Sequence, residues 1–349
     1  MRANTDGSSN TGSGYYALLN NIHGNYNTAS GAFALYANTS GCCNTASGYQ
    51  ALMANTTGHD NTASGVNALQ YNTTGHDNTA SGNFALLFNT TGAYNVASGD
   101  HALYGNGTGN DNTASGYGAL WYNTAGNYNV ADSYYALFSN TTGYGNTADG
   151  YYALYANTTG TGNVAFGYQA LQASTGANNA AVGTWALLGL TSGSNNVALG
   201  FGAGKLTKTG NNDIYIGHAG INGSESNVTR IGTGQTAAFI AGIAGHALSG
   251  ATVVVNSAGQ LGVVTSSARF KKDIKPLAGS SAGEKLAQLR PVSFRYKSEP
   301  AATHYGLIAE EVAKVMPELV VRDSAQRPDS VQYIELVPLL LQQWKAQQA

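Results

Sequence analysis

One pattern governs most of this chain. Asn-Thr-Ala-Ser-Gly, followed two residues later by Ala-Leu and then by Asn-Thr-Thr-Gly, returns every 17 residues. Its leading Asn falls at Asn10, Asn27, Asn44, Asn61, Asn78, Asn95, Asn112, Asn129, Asn146 and Asn163. A step of 16 then reaches Asn179, and steps of 17 reach Asn196 and Asp213. A period held this long is the mark of a stacked-repeat architecture, in which each copy is one coil lying on the next. Apolar positions do not recur at three and four residues, and Gly and Asn at this density would unravel a helix. Low charge and abundant Gly, Ser and Asn also fit disorder, but disordered tracts do not hold Leu and aromatic residues in fixed columns.

The columns predict a mainly β chain, a parallel β-roll or β-solenoid with two short strands and two turns per coil. Ala29, Ala46 and Ala63 sit two residues after the Asn, and Ala34-Leu35, Ala51-Leu52 and Ala68-Leu69 sit seven and eight after it, so the interior is thin. Gly31, Gly48 and Gly65 mark one corner and Gly41, Gly58 and Gly75 another, where positive φ is expected. Stacking at one strand spacing, about 4.8 Å, turns each Asn column into a possible hydrogen-bonded ladder and about thirteen coils into a rod of roughly 60 Å. Coils with one Leu each bury little surface per chain, so a homotrimer is expected. The column nine after the Asn, including Tyr104, Trp121, Phe138 and Tyr155, reads as a stripe along the rod. It suits a subunit interface first and an aromatic platform for a glycan receptor second.

Composition changes sharply near residue 265. Residues 1–265 carry four basic and nine acidic side chains and no proline, whereas residues 266–349 carry twelve basic, nine acidic and all six prolines. Three parts follow: a repetitive shaft over 1–232, a β connector over 233–265 that includes the strand-turn-strand pattern Val253–Gly262, and a small α/β domain over 266–349. In the last part Val292, Phe294 and Tyr296 alternate as a half-buried strand, and Ile308, Val312 and Val315 share a helix face that Pro317 ends. Ile334, Val337, Leu341 and Trp344 follow the spacing of a helical seam between chains, with a bend or a start expected at Pro338.

Two resemblances bear on function. The core Asn163-Val-Ala-Phe-Gly-Tyr-Gln-Ala170 resembles the head repeats of trimeric autotransporter adhesins, which implies a trimeric parallel β-roll. Ser266-Ser-Ala-Arg-Phe-Lys-Lys-Asp-Ile274, Leu289-Arg-Pro-Val-Ser-Phe-Arg-Tyr-Lys297, Tyr305-Gly-Leu-Ile-Ala-Glu-Glu-Val312, Pro317-Glu-Leu-Val320 and Val331-Gln-Tyr333 follow in that order. Together they resemble the endosialidase-type C-terminal intramolecular chaperone of phage tail fibres and tailspikes. The resemblance covers the whole 266–349 tail and implies a domain that trimerises, helps the upstream fibre fold, and cuts itself off. By that family's motif Ser266 is the catalytic nucleophile, Arg269 the motif arginine and Lys271 the base. Ser267 with Lys272 repeats the spacing but places Phe270 where the arginine belongs. A neutral lysine can take a serine proton, and burial or the cations Arg269 and Lys272 would favour that form. Five residues along a strand point to opposite faces, so a turn or a neighbouring chain must bring the two together.

The resulting expectation is a trimeric fibre, of a virion tail or a cell surface, with a self-cleaving serine peptidase acting once. The alternatives are a surface adhesin whose chaperone does not cleave, and a glycan-degrading tailspike. The latter finds no carboxylate pair at repeat spacing to support it. A net charge of −2 argues against nucleic acid as partner, and no apolar run suggests a membrane span. The opening Met1-Arg2-Ala3-Asn4 lacks a signal-peptide core, which leaves another export route, a fragment, or a virion part released by lysis. No cofactor or metal is expected. His59-Asp60 and His76-Asp77 fall in adjacent coils, where the pairs could stack as ligands, but Asn25, Cys42 and Ala93 stand in the His column of neighbouring coils. Adjacent Cys42 and Cys43 are read as incidental small residues, since a disulfide between neighbours is strained. The Asn-Thr-Thr triplets are turn chemistry rather than glycosylation acceptors, and the Thr column gives way to Val96, Val130 and Val164, unlike an ice-binding face.

Overall fold

The computed structural model describes residues 4–235, 238, 240, 253–255, 260–263, 265–277, 281–323 and 325–348. It divides into two compact units, Met1–Ala238 and Phe239–Ala349. The loosened stretch Phe239–Gly245, apart from Ile240, and the turn within Val253–Gly262 fall outside the described residues.

The first unit is a parallel β-solenoid whose coils are the 17-residue repeats. Fourteen three-residue strands, from Thr11–Ser13 to Thr229–Ile231, form one sheet in nearly sequential order. Register follows the repeat, with Thr28 opposite Thr45, Ala29 opposite Ala46 and Ser30 opposite Ser47. The 16-residue coil pairs Val164 with Ala180, and the last step, Ile214 to Thr229, shortens to 15.

Most coils hold one strand, not the two expected; the coils beginning at Asn196 and Asp213 hold a second, Thr207–Thr209 and Gly223–Ser224, which pair in parallel. In the coil beginning at Asn27, the side carrying Ala34 and Leu35 is built on left-handed backbone: Phe33, Leu35 and, at the coil's end, Cys43 have φ of 61°, 50° and 62°. This conformation turns alternate N–H groups to opposite neighbours. Phe33 N donates back to Tyr15 O at 2.8 Å, and Leu35 N donates forward to Ala51 O at 3.1 Å. The bonds between coils are kept while the strand geometry is lost. Left-handed backbone at a residue with a Cβ costs roughly 1–2 kcal/mol, so three such residues per coil make a lone coil unfavourable. Bonds to the coils above and below offset that cost, each worth about 1 kcal/mol net.

The interior is as thin as the columns imply. The Ala columns and Leu18, Leu35, Leu52 and their successors to Leu187 are fully buried, and two Asn columns are buried with them. Asn44 donates Nδ2 to Asn27 Oδ1 at 3.1 Å and to Gly58 O at 2.9 Å, while its backbone N–H also reaches Asn27 Oδ1 at 3.0 Å. The second ladder runs through the first Asn of Asn-Thr-Thr-Gly, with Asn55 Nδ2 donating to Asn38 Oδ1 at 2.8 Å and to Gly58 O at 2.9 Å. The carbonyl of Gly58 thus accepts from both ladders across the interior. The second ladder ends at Asn157, whose Oδ1 is left without a partner where the next coil is one residue short and carries Ser174.

The two glycine corners differ. Gly31, Gly48 and Gly65 have φ of 137–142°, as expected for a residue without a Cβ. Gly58 and its equivalents do not need positive φ; a Cβ there would sit 2.4 Å from the carbonyl oxygen of Gly75 in the next coil. Close approach, not backbone conformation, requires glycine at this second corner.

The second unit is small and mixed. Helix α1 (Ser281–Ala287) is followed by the antiparallel pair Val292–Tyr296 and Glu299–Gly306, then α2 (Ala309–Val315), the hairpin Val320–Arg322 with Pro328–Val331, and α3 (Tyr333–Gln348). Its core is Val312, Met316, Leu319, Val320, Val331 and Leu336, against which Leu286, Leu289 and Leu307 pack. Pro317 ends α2 by opening a 3-10 turn. Pro338 neither starts nor ends α3, which runs through it; it lies close enough to the helix start that its missing N–H removes a single early bond.

Candidate functional site

Ser266 and Lys271 are brought together by local backbone alone. Ser267 and Lys271 are extended, and between them Ala268–Phe270 forms one 3-10 turn. Phe270 N donates to Ser267 O and Lys271 N to Ala268 O, both at 3.1 Å. That turn cancels the alternation that would place residues five apart on opposite faces. Lys271 Nζ donates to Ser266 Oγ at 3.3 Å. Ser267 occupies the capping position of the turn and makes no side-chain cap bond. The Arg269 guanidinium lies over the Phe270 ring, 4.6 Å from its centroid, a cation–π contact. Every residue from Thr265 to Leu277 is exposed, so in the lone chain the serine and lysine meet in water.

Two surfaces remain open. On α3, Ile334, Val337, Leu340, Leu341 and Trp344 are each more than half exposed, while Leu336 is the side chain the helix buries in its own unit. On the solenoid, the outward strand column reads Ser30, Ser47, Ser64 and Ser81 early, then Asp132 and Asp149, then Phe166, Val182, Leu199, Ile216 and Ile231. Those last five are 38–72% exposed, so the strand face changes from polar to apolar over its final coils.

The aromatic stripe is present and stacked. Phe138 and Tyr155 rings lie 5.1 Å apart and nearly parallel, and Trp121 bridges Tyr104 and Phe138 at 5.0 and 5.7 Å. These side chains are half-buried by one another. Sequence reasoning missed a second stripe five residues after the Asn, where Tyr117, Tyr134, Tyr151 and Tyr168 stack at 5.0–5.5 Å and stay 38–44% exposed. The repeat register alone would have found it. Register also corrects the statement on carboxylates: Asp132 lies directly opposite Asp149, a pair at repeat spacing on an exposed strand face.

The C-terminal end of the solenoid carries a buried polar cluster that replaces the repeat residues. Tyr215 stands in the interior Ala column, its hydroxyl accepting from Thr207 Oγ at 3.0 Å and donating to Glu225 Oε1 at 2.9 Å. Arg230 holds Glu225 through Nε and Nη2 at 2.8–3.1 Å. Burial raises the Glu225 carboxyl, but the bonds from Arg230 and Tyr215 outweigh it and hold the group below its ordinary range. Asp213 closes the first Asn ladder; burial pushes its carboxyl above the usual range, and its Oδ2 has no partner.

Residues 266–321 match the family model described as chaperone of endosialidase. The match begins at Ser266 and stops before the Val331–Tyr333 block and α3. No curated protein and no solved structure matches the chain.

Proposed function

We propose that this chain is one protomer of a homotrimeric fibre whose C-terminal part assembles the trimer and then removes itself by a cut between Thr265 and Ser266. The β-solenoid and the chaperone-of-endosialidase match support a fibre with a C-terminal chaperone. Self-cleavage is carried by one observation, the 3.3 Å contact of Lys271 with Ser266 at the first residue of the matched segment. The proposed parts are a shaft over 1–232, a connector over 233–265 and the chaperone over 266–349. Trimer formation is supported by the seam on α3, whose Ile334, Val337, Leu341 and Trp344 spacing suits helices packing between chains, and by the apolar strand face of the final coils. A virion tail fibre or cell-surface fibre is the matching location. Among the described residues no helix is long and apolar enough to cross a membrane.

In the proposed cut, Ser266 Oγ adds to the carbonyl carbon of Thr265 while Lys271 Nζ accepts the hydroxyl proton. The Thr265–Ser266 C–N bond then breaks, and the lysine returns the proton to the leaving amine. The resulting ester is hydrolysed by water, which leaves a carboxylate on Thr265 and frees the serine hydroxyl. The dyad is exposed in the lone chain, so trimer assembly is the step that would enclose it, and cleavage follows assembly.

Intact mass of the purified protein tests this reading. The wild type should give a 265-residue shaft and an 84-residue fragment (349 − 265), while Ser266→Ala and Lys271→Ala stay full-length and trimeric, and Ser267→Ala still cuts. An intact wild-type trimer, or cleavage in Ser266→Ala, would overturn the catalytic assignment and favour a chaperone that does not cleave.

A further inference from the structure

The fibre reading leaves unused a cluster on the solenoid surface. His59 and His76 occupy the same position in adjacent coils, their backbones locked in register by Asp77 N donating to His59 O at 3.1 Å. The two imidazoles stack with centroids 4.8 Å apart and planes 12° apart. Nδ1 of His76 lies 2.9 Å from Oδ2 of Asp77. The edge of Tyr94 closes the C-terminal side, its ring 5.1 Å from His76 and nearly perpendicular. One ligand atom from each of His59, His76 and Asp77 lies within 4.8 Å of the others.

We propose that His59, His76 and Asp77 form a surface site for a transition-metal dication of the Zn2+ class. Ligands tetrahedral about zinc at about 2.0–2.1 Å stand roughly 3.3 Å apart. The His76–Asp77 separation is already close to that, with the ion taking the place of the proton the two groups share. His59 completes the triad by a shift of about 1.5 Å, which an exposed ring on a fixed backbone makes by rotation about its side-chain bonds. Two imidazoles select a borderline metal; Ca2+ and Mg2+ take oxygen ligands instead. Sequence reasoning set this cluster aside because the column does not continue beyond two coils. A discrete site needs only two, and the stacked rings supply them.

Titration calorimetry of the full-length protein with ZnCl2, under reductant, tests the site. The wild type is expected to bind one Zn2+ per chain. His59→Asn, His76→Asn and Asp77→Asn are each expected to weaken binding by at least roughly tenfold, while His23→Asn, at a separate His–Asp pair, leaves it unchanged. Asn already occupies the histidine column at Asn110, where its Oδ1 accepts from Ala93 N at 2.8 Å, so these variants keep the coil. If wild type binds no tighter than the His59→Asn/His76→Asn double variant, the site does not exist. Equal loss in His23→Asn would likewise overturn it, by showing binding to histidines in general.

Discussion

Replacing Asp213 by Asn should stabilise the C-terminal end of the solenoid at neutral pH. In each rung before it, an Asn Nδ2 donates to the side-chain oxygen of the preceding Asn, as Asn196 does to Asn179 at 2.9 Å. Asp213 keeps the acceptor half of that role, taking Val228 N on Oδ1 at 2.9 Å and donating its own N–H to Asn196 Oδ1 at 2.9 Å. Its other oxygen is fully buried and unpaired where an amide would donate. An unsatisfied buried polar atom costs about 1–3 kcal/mol, so Asp213→Asn should raise protection of the last coils by about 5- to 150-fold. The sign with pH follows from the raised carboxyl, whose causes are burial first and then the opposed influences of Val228, Glu225, Tyr215 and Arg230. A raised carboxyl favours the folded state below its ordinary value of 3.8 and loses that contribution as pH rises through the folded value. The gain from Asn should therefore be greatest at neutral pH and shrink as pH falls toward 4. Glu225 changes in the opposite direction, with stability present above its ordinary 4.5 and lost in acid, so wild type and variant are compared at each pH. Hydrogen exchange read on peptides spanning residues 196–231 is the assay, because a stacked-repeat chain opens locally. Unchanged or lower protection at pH 7, or a gain that does not fade in acid, would refute the argument.

Leu341→Glu places a charge in the exposed seam of α3 without touching the buried Leu336, and sedimentation should show loss of trimer; a trimer of unaltered stability would remove the seam from the interface. Replacing Tyr104, Trp121 and Phe138 together with Ser should weaken assembly if the stripe packs between subunits, whereas loss of glycan binding with the trimer intact would assign the stripe to a receptor.

The coils were legible because each column states its role many times over. Ala29 and Leu35 read as interior, Asn27 as a ladder, and the register between strands is the repeat itself. The side opposite the strand was not legible, since left-handed backbone at Phe33 and Leu35 violates the preference of those residues and is held only by neighbouring coils. The glycine at position 58 was identified for the wrong reason for the same cause, because its constraint is a carbonyl one coil away. At the candidate site the residue types came from the family motif, while the single turn that joins Ser266 to Lys271 belongs to the backbone. Tyr215 and Glu225 escaped notice, and Asp213 was read only as a register position, because each occurs once, at a point where the repeat no longer explains its own residues.

The cost structure of the coil gives the proposed chaperone its purpose. A coil with three left-handed non-glycine residues is unfavourable until its neighbours are in place, and its Asn side-chain oxygens have no partners until the next rung arrives. Stacking is therefore cooperative, and the first coils to form bear the loss alone. Closing the polar cluster of Tyr215, Glu225 and Arg230 gives the last coil a fixed end on which earlier coils can add. Three chains held together at their C-terminal helices would supply that start at high local concentration. Once the ladders are complete the helper contributes nothing to them, and the proposed removal at Thr265 would leave a shaft that cannot refold by the route it came. Its persistence then rests on the unfolding barrier rather than on equilibrium, which suits a fibre working outside the conditions in which it was made.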